Sequence, residues 1–384
     1  MKLLYMVSKW PPIGGGAATG AYNLATALSR RNEVHVLTEA VNGLPRLEMH
    51  GNLTVERTEA PLKAGFAVRF SSLALRMGLR AAALLHEGRF DLMHVHDVAV
   101  GPAGLIAKRL AKTPTVFKWG GHLTYEYVCL RGPEGWNPAA GELAAWRQKG
   151  MDMELVRGVE KDFFRTFERS YLLGEYQKGL LGEMGIDGNF PVIPNGIDAK
   201  GFRHRKTSNR PVIFTGLRHV PWKGLDTLIR ACNGQLDRWN AKLVIAGDGP
   251  DTRRLQQLAG EDRNISFIGN IPYPEMKKRL SESAVYVFPS LVDRCPHALL
   301  EAMASRLPVV ASDVMGIREL VPDRCGLLFR PGDHLEMREK IGSLLDSSKM
   351  SRRMGAAARR NVITNYSFER TRRGVVSLYS DLLG

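Results

Sequence analysis

Short apolar runs of β type alternate with helical segments along this chain, and that alternation restricts the fold more than any other feature. Lys2 to Val7 is followed by a glycine-rich turn, a helix over Ala21 to Arg31 and a strand over Glu33 to Thr38. Leu92 to Val95, a helix over Pro102 to Ala111 and Thr115 to Trp119 repeat the pattern. It returns more clearly after residue 210. Strands are expected at Pro211–Thr215, Lys242–Ala246, Ile265–Ile268, Val285–Phe288 and Pro308–Ala311. The helices expected between them are Leu225–Cys232, Asp251–Leu258 and Ala298–Ser305. Strands linked by helices make a parallel sheet with helices on its faces, so the class is α/β, doubly wound. At 384 residues the chain exceeds one ordinary core and suits two such domains. The Pro/Asn/Gly-rich stretch Pro191 to Asp198 and the polar run to Arg210 read as the hinge between them.

Composition narrows the functional classes. Apolar residues at 44% and charged residues at 24% are the balance of a globular protein. Cys129, Cys232, Cys295 and Cys325 lie too far apart for a zinc site or a disulfide framework, which points to reduced thiols in a cytoplasmic protein. The opening residues hold too short an apolar run for a signal peptide and read as a first strand. The longest nearly uncharged apolar stretch, Val98 to Ala107, is far below the ~20 residues that span a bilayer. The net charge of +15 divides as +4 over residues 1–196 and +11 over 197–384. Such an excess favours anionic partners or is simply a basic, solvated surface. The strongly basic terminal segment Arg352 to Leu383 is expected to be helical.

Four motifs carry possible chemistry. Gly14-Gly15-Gly16-Ala17-Ala18-Thr19-Gly20 joins the first strand to the first helix, where bare backbone amides can receive an anion. Its spacing is neither the dinucleotide fingerprint nor a Walker loop. In Phe214 to Gly224, Arg218 and Lys223 stand five residues apart just beyond a strand's carboxyl end. A forked guanidinium and a compact ammonium there suit a diphosphate, although paired surface cations are common. In Asp293-Arg294-Cys295-Pro296-His297-Ala298-Leu299-Leu300-Glu301, two carboxylates bracket a strand-to-helix turn whose amides lie between them. That arrangement offers amides to phosphate and acceptors to sugar hydroxyls. Taken alone, the two acids read as a solvated helix face. His94, His96 and Asp97 end a strand with no third ligand in view, so no metal is expected.

These pieces do not stand alone. Ile193-Pro194-Asn195-Gly196-Ile197-Asp198, the Arg218/Lys223 loop, Ala246-Gly247-Asp248-Gly249-Pro250, Phe267-Ile268-Gly269 and Asp293 to Ala304 occur in an order and spacing that resembles retaining glycosyltransferases of family 4, the glycosyl transferases group 1. The resemblance covers most of the chain and is densest from Val192 to Val321. It implies the GT-B fold, two Rossmann-like domains with the active site in the interdomain cleft. The implied organisation is an acceptor-binding domain over 1–190, a hinge over 191–210 and a nucleotide-sugar-binding domain over 211–366. The terminal helix 367–384 is expected to pack back on the first domain.

The resemblance also implies roles. Arg218 and Lys223 bind the donor diphosphate, which Gly15 and Gly16 approach from the other domain. Glu301 takes the ribose hydroxyls and Asp293 the donor sugar. His297, Ala298, Leu299 and Leu300 line the donor through the helix start, with Gly269 beside them. Metal-independent chemistry without a cofactor is the family norm.

Two departures stand out. Asp293 is one methylene shorter than the usual glutamate. The stretch Thr115 to His122 lacks the histidine often found right after its strand, and Trp119 or His122 replaces it. With Tyr125-Glu126-Tyr127 after it, this segment is similar to a glycine-aromatic-glutamate variant.

The expected activity is transfer of a sugar from a UDP- or GDP-sugar to an acceptor hydroxyl with retention, in glycan, polysaccharide or glycolipid biosynthesis. The acceptor is expected to be a sugar, a glycolipid or a lipid-linked group. The amphipathic stretch Phe66 to Leu85, with Arg69, Arg76 and Arg80, either packs on its own domain or meets an anionic inner membrane face. The rival readings are another GT-B enzyme, a sugar phosphorylase or nucleotide-sugar epimerase, and a non-catalytic basic protein that binds membrane or nucleic acid. No basic-aromatic RNA-binding motif is present, and no nucleic-acid partner is expected.

Overall fold

The computed structural model describes residues 1–12, 16–59, 66–88, 90–121, 153–203 and 210–384, and places their strands in two sheets. The first takes β1 (Lys2–Met6), β2 (Glu33–Glu39), β3 (Leu47–His50), β4 (Leu53–Thr58), β5 (Leu92–Val95), β6 (Thr115–Trp119) and β7 (Arg169–Leu172). Their order is β3-β4-β2-β1-β5-β6-β7, parallel throughout except for the β3/β4 pair at the edge. The second takes β8 (Val212–Gly216), β9 (Lys242–Ala246), β10 (Ile265–Phe267), β11 (Val285–Phe288), β12 (Val309–Ser312) and β13 (Gly326–Phe329). Their order is β10-β9-β8-β11-β12-β13, all parallel.

The chain separates into two compact units. One gathers the N-terminal part with Met151–Pro194 and Thr371–Gly384, and the other contains Asn195–Arg370. In the first unit successive side chains of β1 enter opposite cores, as the period of a strand requires. Leu4 and Met6 pack with Met77, Ala81 and Phe163 of the helices Phe66–Gly88 and Met153–Thr166. Leu3 and Tyr5 pack with Leu24, Ala25 and Leu28 of the helix Gly16–Ser29, and with Val375, Leu378 and Tyr379 of the helix Phe368–Leu383. A sheet covered on both faces buries every strand position, and so β5 (LMHV) is buried throughout, its one polar residue His94 included.

The alternation read from the sequence recurs within a residue or two at most element ends. Two elements differ, and the second has a local cause. The first helix begins at Gly16, not Ala21. The basic terminal stretch is two helices, Ser348–Asn365 and Phe368–Leu383. The break at Tyr366–Ser367 lies against Ile197, whose amide donates to the Tyr366 carbonyl at 2.9 Å while Phe368 donates to the Ile197 carbonyl at 3.1 Å. The backbone gives up helical bonds there and returns to the first unit at Thr371.

Candidate active site

In the second sheet, strand order runs outward from β8 through β9 to β10 on one side, and from β11 through β12 to β13 on the other. The connections therefore diverge between β8 and β11, and open α/β sheets bind ligands at the carboxyl ends of the strands beside such a switch point. The loop after β8 carries Arg218 and Lys223, and the loop after β11 carries Asp293. Both motifs singled out in the sequence meet at this one place.

Close backbone packing holds the two loops together. Leu291 N donates to the Trp222 carbonyl at 2.8 Å, and the buried Ser290 hydroxyl lies 3.2 Å from the same oxygen. Gly224 has φ +61°, and a Cβ there would stand 2.1 Å from the Pro289 carbonyl oxygen, so no other residue fits without displacing a loop. On the far side, Gly247 has φ +114° and would drive a Cβ to 1.9 Å from the Leu217 carbonyl oxygen. Leu217 N donates to Ala246 O, and Gly247 N to Gly269 O, which joins the loops of β8, β9 and β10 in a row. The Gly-Asp-Gly-Pro stretch thus acts as a brace. Asp248 takes the Thr252 hydroxyl at 2.6 Å and the Gly249 amide at 2.7 Å, and His219 is wedged against Thr252 at 2.8 Å.

Within this frame the Lys223 ammonium donates to the Asp293 carboxylate. Its Nζ also stands 5.6 Å over the Phe288 ring. Ser290 Oγ is 3.2 Å from the same carboxylate oxygen and 2.7 Å from the Val292 carbonyl. Arg218 is exposed and has no ion-pair partner among the described residues. The helix His297–Ala304 starts after Pro296 with no side chain capping it, and its first internal bond is donated by Leu300. The amides of Ala298 and Leu299 therefore face the turn that holds Asp293. Asn195 fixes that turn by donating to the Cys295 carbonyl at 2.8 Å.

Glu301 sits one turn into this helix, 8% exposed. Burial pushes its carboxyl group up to about 7, against the opposing pull of the nearby Tyr273 phenol and the charge of Lys277. Sequence reasoning missed Tyr273, Lys277 and Ser290. The signal for the first two was an aromatic and a lysine four residues apart at the start of a helix, just beyond Gly269.

In the first unit, Gly16 opens its helix, while Gly15, His122 and Tyr125-Glu126-Tyr127 lie outside the described residues. His94 and His96 are tied into a buried network. Tyr379 and Tyr171 face the two nitrogens of His94, while Tyr5 and Lys118 face those of His96. Burial, with Lys118 nearby, drives His94 down to about 3, so it is a neutral hydrogen-bonding group. Asp97 accepts from the Ser8 amide and hydroxyl at 2.8 and 2.9 Å and caps the following turn through Val100.

Comparison with known sequences resolves what this geometry belongs to. The model of the family described as Glycosyltransferase Family 4 matches residues 14–200, and that of Glycosyl transferases group 1 matches 197–361. The chain belongs to the family 4 glycosyltransferases. This glycosyltransferase is 28% identical over 257 residues to a GDP-mannose-dependent monoacylated alpha-(1-6)-phosphatidylinositol monomannoside mannosyltransferase of Corynebacterium glutamicum, a match covering 61% of this chain and 64% of that relative. Its fold is that of sucrose-phosphate synthase from Thermosynechococcus elongatus, with a TM-score of 0.83 at 19% identity over 99% of this chain and 98% of the other. Anabaena HepE, solved with UDP and glucose, superposes with a TM-score of 0.77 at 19% identity over the whole of both chains. The architecture is GT-B. The doubly wound pair of sheets expected from the sequence is the one observed.

Proposed function

We propose that this glycosyltransferase moves a sugar from a UDP- or GDP-sugar to an acceptor hydroxyl with retention of anomeric configuration, without a metal ion or other cofactor. The observation that carries this reading is the meeting of Lys223, Asp293 and the uncapped start of the helix His297–Ala304 at the switch point between β8 and β11. A diphosphate leaving group gains charge as the glycosidic bond breaks. Arg218, Lys223 and the amides of Ala298 and Leu299 supply the matching positive potential from fixed positions, so they favour the transition state over the bound donor. Asp293 serves the sugar hydroxyls of an oxocarbenium-like transition state, and Glu301 serves the ribose. Positive charge from the protein takes the part a metal would otherwise play, and turnover in excess chelator should equal turnover without it.

Two similarities bear on the donor and differ. The Corynebacterium relative is named for GDP-mannose, and HepE was solved with UDP and glucose. A donor-hydrolysis screen across UDP-, GDP- and ADP-sugars decides the base, and the anomeric proton of the product reads the stereochemistry. Release of sugar phosphate when inorganic phosphate replaces the acceptor would establish a phosphorylase instead.

The acceptor in this reading is a sugar or lipid-linked glycan, met at an anionic membrane face. No helix among the described residues is long and apolar enough to cross a membrane. The helix Phe66–Gly88 instead exposes Leu75 and Leu79 beside Arg76, a pattern suited to lying in an interface. Arg80 takes no part in this contact, because it is forked onto the buried Glu56 at 2.6 and 3.1 Å.

A further inference from the structure

β11 runs on into Pro289 and Ser290, and Ser290 is wholly buried where the loops of β8 and β11 meet. Its hydroxyl faces three oxygen atoms: the Val292 carbonyl at 2.7 Å, Asp293 Oδ2 at 3.2 Å and the Trp222 carbonyl at 3.2 Å. A hydroxyl has one proton, and neither a carbonyl nor a carboxylate has one to give back, so only one of the three is served at a time. The Trp222 carbonyl already receives the Leu291 amide at 2.8 Å. The choice therefore lies between Val292 and Asp293. While Lys223 donates to Asp293 Oδ2, that oxygen is served, and the shorter contact to Val292 takes the hydroxyl proton. Both donors converge on Oδ2, and no bond from the described residues reaches Oδ1. The side chains of Lys223 and Asp293 each keep 19% of their surface exposed, so a ligand can reach them. Ser290 is out of a ligand's reach.

We propose that Ser290 is a positioning residue for the donor sugar: its hydroxyl turns from the Val292 carbonyl to Asp293 Oδ2 when a diphosphate draws Lys223 away. The inference rests on the reading of Lys223 as the diphosphate contact and Asp293 as the sugar contact. Rotation about the Cβ–Oγ bond moves only a hydrogen, so the exchange needs no rearrangement of the loop. The Val292 carbonyl belongs to a partly exposed residue and passes to water. Asp293 keeps one fixed donor on Oδ2 throughout, and Oδ1 is left for the sugar hydroxyls. With a bare nucleotide bound, water reaches the partly exposed carboxylate and can stand in for the hydroxyl. A bound sugar covers the carboxylate and excludes that water, so only the intact donor depends on Ser290.

The test compares the full chain with Ser290→Ala, Asp293→Ala and the double variant. Affinity for UDP and GDP is read by calorimetry, and kcat/KM by hydrolysis of the UDP- or GDP-sugar that the unmodified chain turns over. Ser290→Ala should lower kcat/KM for the donor by about tenfold or more, the scale of one hydrogen bond to a charged group. Nucleoside diphosphate affinity should stay within about twofold, because water replaces the hydroxyl there. Added to Asp293→Ala, the serine substitution should cost nothing further, since it acts through that carboxylate. Three results overturn the proposal and leave the reading of the site standing. They are unaltered turnover in Ser290→Ala, a loss of nucleotide affinity in step with turnover, and a full further loss in the double variant. The last two would assign Ser290 to the scaffold of the loops. Full turnover in Asp293→Ala, or no turnover of any UDP- or GDP-sugar by the unmodified chain, overturns the proposal together with the reading on which it rests.

Discussion

Lys223 and Asp293 neutralise each other across the two loops that meet at the switch point of the second sheet. The cation proposed for the donor's diphosphate is therefore held by the anion proposed for its sugar. A donor must exchange this bond for two others, phosphate on Lys223 and sugar hydroxyls on Asp293. A bare nucleotide replaces only the first.

That exchange separates two variants. Asp293→Ala releases Lys223, so affinity for the free nucleoside diphosphate should be unchanged or rise, while turnover of the sugar donor falls by roughly 100-fold or more. Glu301→Ala should weaken nucleotide and intact donor alike. Calorimetry beside steady-state rates reads both, and the opposite pairing of effects would reverse the assigned roles.

Arg218→Ala and Lys223→Ala remove charge from the leaving group. Each should lower kcat/KM for the donor by about 1.5–3 kcal/mol, the scale for hydrogen bonds to charged groups. Arg218 has no competing ion pair among the described residues, so its removal should leave the folded protein's melting temperature unchanged. Full turnover in both variants would remove the diphosphate from this loop.

Glu301 also sets a conflict between function and stability. In the unfolded chain a glutamate titrates near 4.5, and in the folded one burial, partly offset by Tyr273 and Lys277, puts it at about 7. A raised carboxyl pKa means the native state binds the proton more tightly. Its contribution to stability is therefore present below pH 4.5 and lost as pH rises to about 7. Glu301→Gln should consequently melt higher at pH 8, by on the order of 2–3 kcal/mol in unfolding free energy, and the gap should close toward pH 4.5. An unchanged difference at the two pH values would show that the carboxyl group titrates normally.

Gly224→Ala tests the frame itself. Its left-handed backbone and the Pro289 carbonyl 2.1 Å from a Cβ leave no relaxed alternative. Destabilisation of about 2 kcal/mol or more is expected, with donor turnover falling beyond what Tm accounts for, because Lys223 is the adjacent residue.

Membrane attachment has its own check. Vesicles with anionic lipid should bind the protein at low salt and release it as salt rises, and Leu75→Glu with Leu79→Glu should abolish binding. Equal binding to neutral vesicles, or none, would take the membrane out of the account.

The alternation of strands and helices was legible because fully buried parallel strands such as VYVF of β11 can be nothing else once helices flank them. The Arg218/Lys223 and Asp293/Glu301 motifs were legible as short-range patterns. Their meeting was not, because 70 residues separate Lys223 from Asp293 and only the strand order between β8 and β11 brings them together. β3 escaped notice because LEMH is mostly exposed, and β4 because polar Thr54, Glu56 and Arg57 interrupt the apolar run of LTVERT although the strand is mostly buried. The neighbourhood of Glu301 was invisible for a related reason. Tyr273 and Lys277 lie on another helix, and no local spacing encodes their approach.

The helix that completes the first unit comes from the far end of the chain. Tyr379 closes the hydrogen bonds of His94, and Val375 and Leu378 cover the sheet face formed by Leu3 and Tyr5. During synthesis, that face emerges from the ribosome early and stays uncovered until Thr371–Gly384 has followed, with the whole second unit made in between. The nascent first unit is therefore a client for chaperones until the segment with Val375, Leu378 and Tyr379 has been made.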